Sequence, residues 1–152
     1  MRTKEIKEEQ QQMDMAKTLA SYRIIYGDTD RMGVVYYANS LRWFEIGRTK
    51  LLRQTGMPYS SIEEMGLRFP VTEVSCRYFR PSRYDDVMTI ETTLISLGRV
   101  TLTFSYRLLR EKDGALIASG WTKHACVDEK REVAKIPSGL EAALKTAISP
   151  KG

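Results

Sequence analysis

Two kinds of periodicity divide the chain. Around Tyr37–Gln54, Tyr37, Leu41, Phe44 and Leu51 recur at spacings of four, three and seven, which defines one face of a helix. Tyr36, Trp43 and Ile46 are apolar and lie off that face, so the helix is expected to be buried on more than one side. Asn39 is a candidate N-cap, and Tyr37 or Ala38 can equally begin the first turn. Gly56 and Pro58 mark the end. Downstream the period drops to two. Val100, Leu102, Phe104, Tyr106 and Leu108 alternate strictly with Thr101, Thr103, Ser105 and Arg107, the pattern of a half-buried strand.

Weaker signals complete the order of elements. A short first strand is expected over Ser21–Tyr26, followed by the loop GDTDRMG. After the helix, the stretch MPYSSIEEMGLRFP holds one short helical turn. Strands follow over Val71–Phe79, where Val74, Cys76 and Tyr78 alternate with Ser75 and Arg77, and over β-branched Val87–Leu97. Lys112-Asp113-Gly114 carries a hairpin signal ahead of a last strand at Ala115–Val127, in which Gly120 reads as a bulge position. A terminal helix is expected after Pro137. Short turns between the last four strands imply antiparallel neighbours. A lone long helix needs a sheet to cover it, so the expected class is α+β: a curved antiparallel five-stranded sheet wrapped around one central helix.

Composition narrows the function classes. The 152 residues suit one domain, read as residues 19–152 behind a polar N-terminal extension, residues 1–18, that is frayed or weakly helical. With 42% hydrophobic and 28% charged residues, the balance excludes a disordered or integral membrane protein. The N-terminus has no apolar h-region, so a cytoplasmic location is expected, with Cys76 and Cys126 as buried free thiols. A net charge of +5 suits an anionic partner: a phosphorylated cofactor, an acidic carrier protein or nucleic acid. Nucleic acid is disfavoured, because no run of five Lys/Arg occurs and the aromatics fall on the predicted core face.

The chemistry concentrates in YGDTDRMGVVYYANSLRWFE, Tyr26–Glu45. Asp28 and Asp30 stand in a short loop that leads into the aromatic helix. Taken alone, Asp30 is a turn or capping residue and Asp28 a loop-bracing one. Glu45 can pair with Arg48 or Arg42 on the same helix. His124 sits on the last strand, away from the helix, and reads as structural. Asp85 and Asp86 read as loop residues before a strand, with no metal-ligand spacing around them.

These residues carry a resemblance. Tyr26, Asp28-Thr29-Asp30, Gly33-Val34-Val35-Tyr36-Tyr37, Asn39, Trp43-Phe44-Glu45 and Arg48 resemble the hot-dog-fold acyl-CoA thioesterases of the 4-hydroxybenzoyl-CoA thioesterase type. Tyr84-Asp85-Asp86-Val87, Ile90-Glu91 and Leu97-Gly98-Arg99 with Thr101–Phe104 extend the likeness to about Val133. The resemblance implies a thioester hydrolase without a cofactor, coenzyme A being part of the substrate. It makes Asp30 the catalytic carboxylate, acting as nucleophile or general base. It makes the backbone N–H at Tyr37 the group that polarises the thioester carbonyl. Gly33 and Val34, which join acid to helix, are expected to contact the substrate, and Arg99 to meet the phosphates of coenzyme A or of a phosphopantetheine carrier. Glu45 is the rival acid, since another branch of the fold uses a helix-borne one. The resemblance also implies a homo-oligomer, a dimer or a tetramer, with sites at the dimer interface. A non-catalytic module that binds acyl thioesters or acyl-carrier protein is the alternative.

Overall fold

The computed structural model describes residue 3 and residues 17–148, so nearly all of the expected polar extension lies outside the described residues. Five strands form one antiparallel sheet in the order β1-β3-β4-β5-β2. They are β1 (Lys17–Arg23), β2 (Val71–Tyr78), β3 (Val87–Leu97), β4 (Thr101–Arg110) and β5 (Leu116–Ala125). The long helix α1 (Asn39–Gln54) packs against β1, β3 and β4. Two short helices follow, α2 (Tyr59–Glu64) and α3 (Ser138–Lys145). Irregularities in three of the four ladders, at Val71/Glu73, Leu94/Ser96 and Leu108/Leu109, bend the strands.

The strong alternation around residues 100–108 becomes β4, with Leu102, Phe104, Tyr106 and Leu108 buried. On β3, Met88, Ile90, Thr92 and Leu94 form the matching inner face. Against these lie Trp43, Phe44, Gly47 and Leu51 of α1. Phe44 stacks on Tyr106 with ring centroids 4.2 Å apart and planes 5° from parallel. Each buried ring of this kind is worth about 2–3 kcal/mol of apolar transfer. Gly47 is required by proximity: a Cβ there would overlap Thr92 Oγ1 and come within 2.9 Å of Ile90 Cγ2.

Several expectations are corrected. The first strand begins at Lys17 and ends at Arg23, so Lys17 and Thr18 belong to the sheet rather than to the extension. It ends early because Ile25 donates its N–H to Asp28 Oδ2, 2.9 Å away, and the chain turns through a 3-10 segment at Tyr26–Asp28. The buried face of α1 passes through Ser40 and Gly47 rather than Tyr37 and Leu41, which are 63% and 39% exposed. β2 is an edge strand, and its Val74 and Tyr78 are about half exposed despite their alternation. Gly120 is no bulge. It stays in register opposite Cys76 and Tyr106, and a Cβ there would overlap Ser75 O and come within 2.9 Å of the Phe44 ring.

Candidate active site

The loop from Thr29 to Ala38 is built around a buried acid. Asp28 is 3% exposed. Its Oδ2 accepts hydrogen bonds from Tyr22 Oη and Ile25 N, each at 2.9 Å. Its carbonyl accepts Tyr36 N at 2.9 Å and Asn39 Nδ2 at 2.8 Å. Burial, and then this bond to a carboxylate, raises the pKa of Tyr22. Asn39 therefore does not cap α1. Ala38 holds the N-cap position with no side-chain cap bond, and Asn39 instead ties the helix to the loop.

Asp30 stands two residues further and faces solvent. Its Oδ1 accepts the N–H of Met32 at 2.8 Å, and its own N–H and C=O close a tight turn with Val34 O and Gly33 N at 2.8 and 3.0 Å. Gly33 sits at φ +77°, a left-handed conformation that suits glycine. Asp30 Oδ2 has no partner among the described residues. Val34 is half-buried beyond the turn.

The start of α1 supplies donors. Among the described residues, the N–H groups of Tyr37 and of the N-cap Ala38, just ahead of the helix, meet no acceptor, whereas those of Asn39, Ser40 and Leu41 are taken up by Tyr36 O, Tyr37 O and Ala38 O. The Tyr37 carbonyl accepts Tyr78 Oη at 2.7 Å, which pins this turn to β2. Burial first, and then neighbouring Cys76, pushes the Tyr78 pKa up to about 12, so its hydroxyl keeps its proton near neutral pH. The Tyr37 ring points outward and meets Tyr36 and Tyr78 at 4.7 and 6.4 Å between centroids. Beside it lies an open cavity of about 320 Å³ bordered by Val35, Tyr37, Ser40, Tyr78, Ser82 and Ile117.

Other sequence candidates fall elsewhere. Arg99 is exposed in the β3–β4 turn, closed by Gly98 N to Thr101 O at 2.8 Å. That turn is at the far end of β3, about 30 Å along the strand from the loop, so one protomer does not bring Arg99 and Asp30 together. Glu45 makes no ion pair with Arg42 or Arg48 among the described residues. His124 is buried, with Nδ1 3.0 Å from Phe69 O and Nε2 2.8 Å from Thr122 Oγ1. Burial drives its pKa down to about 4, so it is neutral. Asp86 accepts Arg83 N at 2.9 Å, and Asp85 bonds Arg23 at φ +70°; both brace the loop before β3. The sequence reading missed Tyr78, whose only signal was its place in an alternating strand.

A helix laid on a five-stranded antiparallel sheet is the fold of the hot-dog thioesterases. The profile of the thioesterase-like superfamily matches residues 25–144, and the chain belongs to that family. It is a thioester hydrolase of the hot-dog fold. It is 33% identical over 124 residues to the acyl-CoA thioesterase YbgC of Haemophilus influenzae, covering 80% of this chain and 90% of that one. The crystal structure of TT1821 from Thermus thermophilus is similar, with a TM-score of 0.81 and 32% identity over 86% of this chain and 97% of that one. The structure of BH1999, a gentisyl-coenzyme A thioesterase, gives a TM-score of 0.75 and 27% identity over 83% of this chain and 98% of that one.

Proposed function

We propose that the protein hydrolyses acyl-CoA thioesters to a free acid and coenzyme A, with Asp30 as the reacting carboxylate and the Tyr37 N–H as the carbonyl's hydrogen-bond donor. The observation that carries this is the unpaired Tyr37 N–H at the positive end of α1, one turn of loop away from Asp30. Asp30 either attacks the carbonyl carbon, expelling the thiolate and leaving a mixed anhydride that water then cleaves, or takes a proton from the attacking water. In both routes negative charge grows on the carbonyl oxygen, where one well-placed donor is worth about 10²–10³ in rate. Gly33 and Val34 shape the approach between acid and helix, and an acyl-carrier protein is the second source of the same thioester.

The test is thiol release from a panel of aryl and aliphatic acyl-CoAs, with wild type beside Asp30→Asn. Turnover is expected to fall by at least about 10²-fold in the variant. Undiminished hydrolysis would remove Asp30 from the chemistry, and tight acyl-CoA binding with no turnover would make the protein a binding module instead.

The working form we infer is a homo-oligomer, in the cytoplasm, where free Cys76 and Cys126 suit a reducing compartment. Exposed Tyr37 just ahead of α1, Leu41 on it, and Val74 and Tyr78 on edge strand β2 support this, because bare edges invite pairing. Arg99 meets the nucleotide phosphates only when supplied by a neighbouring protomer. Light scattering that returns a protomer mass of 17.4 kDa would count against both statements.

A further inference from the structure

A second cavity, also about 320 Å³, lies under the C-terminal half of α1. Its wall is mostly apolar, with Leu52, Phe69 and Phe104 prominent, and α2 and α3 close its far side. Five residues with polar groups line it, Glu45, Arg48, Thr49, Tyr59 and His124, and of these only Glu45 and Arg48 are charged.

The hydrogen bonds beneath the cavity have a fixed direction. Phe69 O can only accept, so His124 Nδ1 carries the proton. Neutral His124 then accepts at Nε2 from the Thr122 hydroxyl, 2.8 Å away. Thr122 Oγ1 in turn accepts from Tyr106 Oη at 2.6 Å. Burial raises the pKa of the Tyr106 hydroxyl, and the charge of the Arg48 guanidinium, which its oxygen faces, offsets part of that rise. This chain satisfies every group in the floor but uses little of Arg48, which carries five N–H donors. No carboxylate lies within 4 Å of Arg48 among the described residues, and Glu45, on the same wall, has no partner there either. Arg48 is half-buried in the wall and Glu45 is exposed at its edge, so the guanidinium is the desolvated donor that a ligand would complete, with the carboxylate beside it.

The two charges select the ligand. A carboxylate would suit Arg48 but be repelled by Glu45, and an ammonium the reverse. A hydroxyl suits both, accepting from Arg48 and donating to Glu45. The cavity's position selects a length. Eleven residues separate Tyr37 from Arg48, about 16 Å along the axis, shortened because helical side chains lean towards the N-terminus. A single ring held at Tyr37 is shorter than that distance, and a medium-length chain matches it.

We infer that this cavity is a specificity subsite for the far end of a chain-like acyl group bearing a terminal hydroxyl, read by Arg48 and Glu45. The inference rests on the thioesterase reading of the preceding section, and adds the substrate class.

The experiment compares isosteric pairs. Thiol release is measured from ω-hydroxydecanoyl-CoA against undecanoyl-CoA, and from 4-hydroxybenzoyl-CoA against 4-toluoyl-CoA, with wild type, Arg48→Met and Glu45→Gln. Wild type is expected to favour the hydroxyl-ended chain by about tenfold or more in kcat/KM, because a site built for a hydroxyl penalises its absence. That ratio is expected to fall towards one in Arg48→Met and partway in Glu45→Gln. A ratio near one in wild type, a ratio unmoved in Arg48→Met, or a preference confined to the aryl pair would overturn the inference. If nothing is hydrolysed, the thioesterase reading fails on its own, and calorimetric binding of ω-hydroxydecanoate against undecanoate decides the subsite. Stronger binding of the hydroxy acid, lost in Arg48→Met, upholds it, and equal binding removes it.

Discussion

The two ends of α1 handle polar groups in opposite ways. At the N-terminal end, backbone does most of the work. The helix begins without a side-chain cap, two amides stay open, and the carboxylate assigned to the chemistry is exposed while its neighbour Asp28 is buried and saturated with donors. At the C-terminal end, side chains do the work. A directed chain from Tyr106 to Phe69 O underlies an apolar cavity. The difference separates reaction from recognition. The first end holds unsatisfied groups where charge will develop, and the second satisfies nearly everything so that only two charges remain to discriminate.

The contrast can be broken from either side. Asp30→Asn carries the largest expected effect, the loss of turnover described above with an unchanged melting temperature, since the side chain is exposed. Asp28→Ala should do the reverse of a clean catalytic lesion. It strands Tyr22 Oη and Ile25 N and is expected to cost about 2–4 kcal/mol in urea unfolding, with activity lost only as the loop loosens. An intact Cm would show that the loop stands without its buried acid.

At the other end, His124 gives a pH signature. Its folded pKa of about 4 lies below the ordinary 6.5, so between those values the unfolded chain binds more protons. Stability should therefore be full above pH 6.5 and decline as the pH falls towards 4, by about 2–3 kcal/mol. His124→Gln is expected to flatten that stretch of the profile, and an unaltered slope would assign it to other groups. The smallest effect belongs to Tyr78→Phe. Removing the bond to Tyr37 O should lower kcat by about tenfold, equivalent to one modest hydrogen bond, with KM little changed. A change in KM alone would mean that Tyr78 holds substrate rather than the helix start.

Legibility in the sequence followed the range of the interactions. β4 was readable because its alternation is local, and α1 because its length and period outrun any strand. The buried face of α1 was not readable, because it depends on which helix side the sheet approaches. Small Ser40 and Gly47 occupy that side, and larger Tyr37 and Leu41 do not. Asn39 looked like a cap because caps are local, yet its partner is the carbonyl of Asp28, eleven residues back. Glu45 and Arg48 have the spacing of a helical pair but remain apart, and Arg48 instead faces Tyr106 on the sheet. Asp30 was legible only through its motif; nothing in its own turn distinguishes it from any other loop aspartate. Arg99 was legible as a turn arginine, but its distance from the loop depends on strand direction, which spacing does not encode.

Gly47 bears on any attempt to make a hardier catalyst. Replacing a mid-helix glycine with alanine is a routine stabilising step, usually gaining about 1 kcal/mol. Here the added methyl would press on β3, and the helix would have to lift away from the sheet. A helix moves as a rod, so a lift in its middle would also carry off the amides at its tip. The substitution that a propensity table recommends most strongly is thus the one most apt to trade activity for nothing.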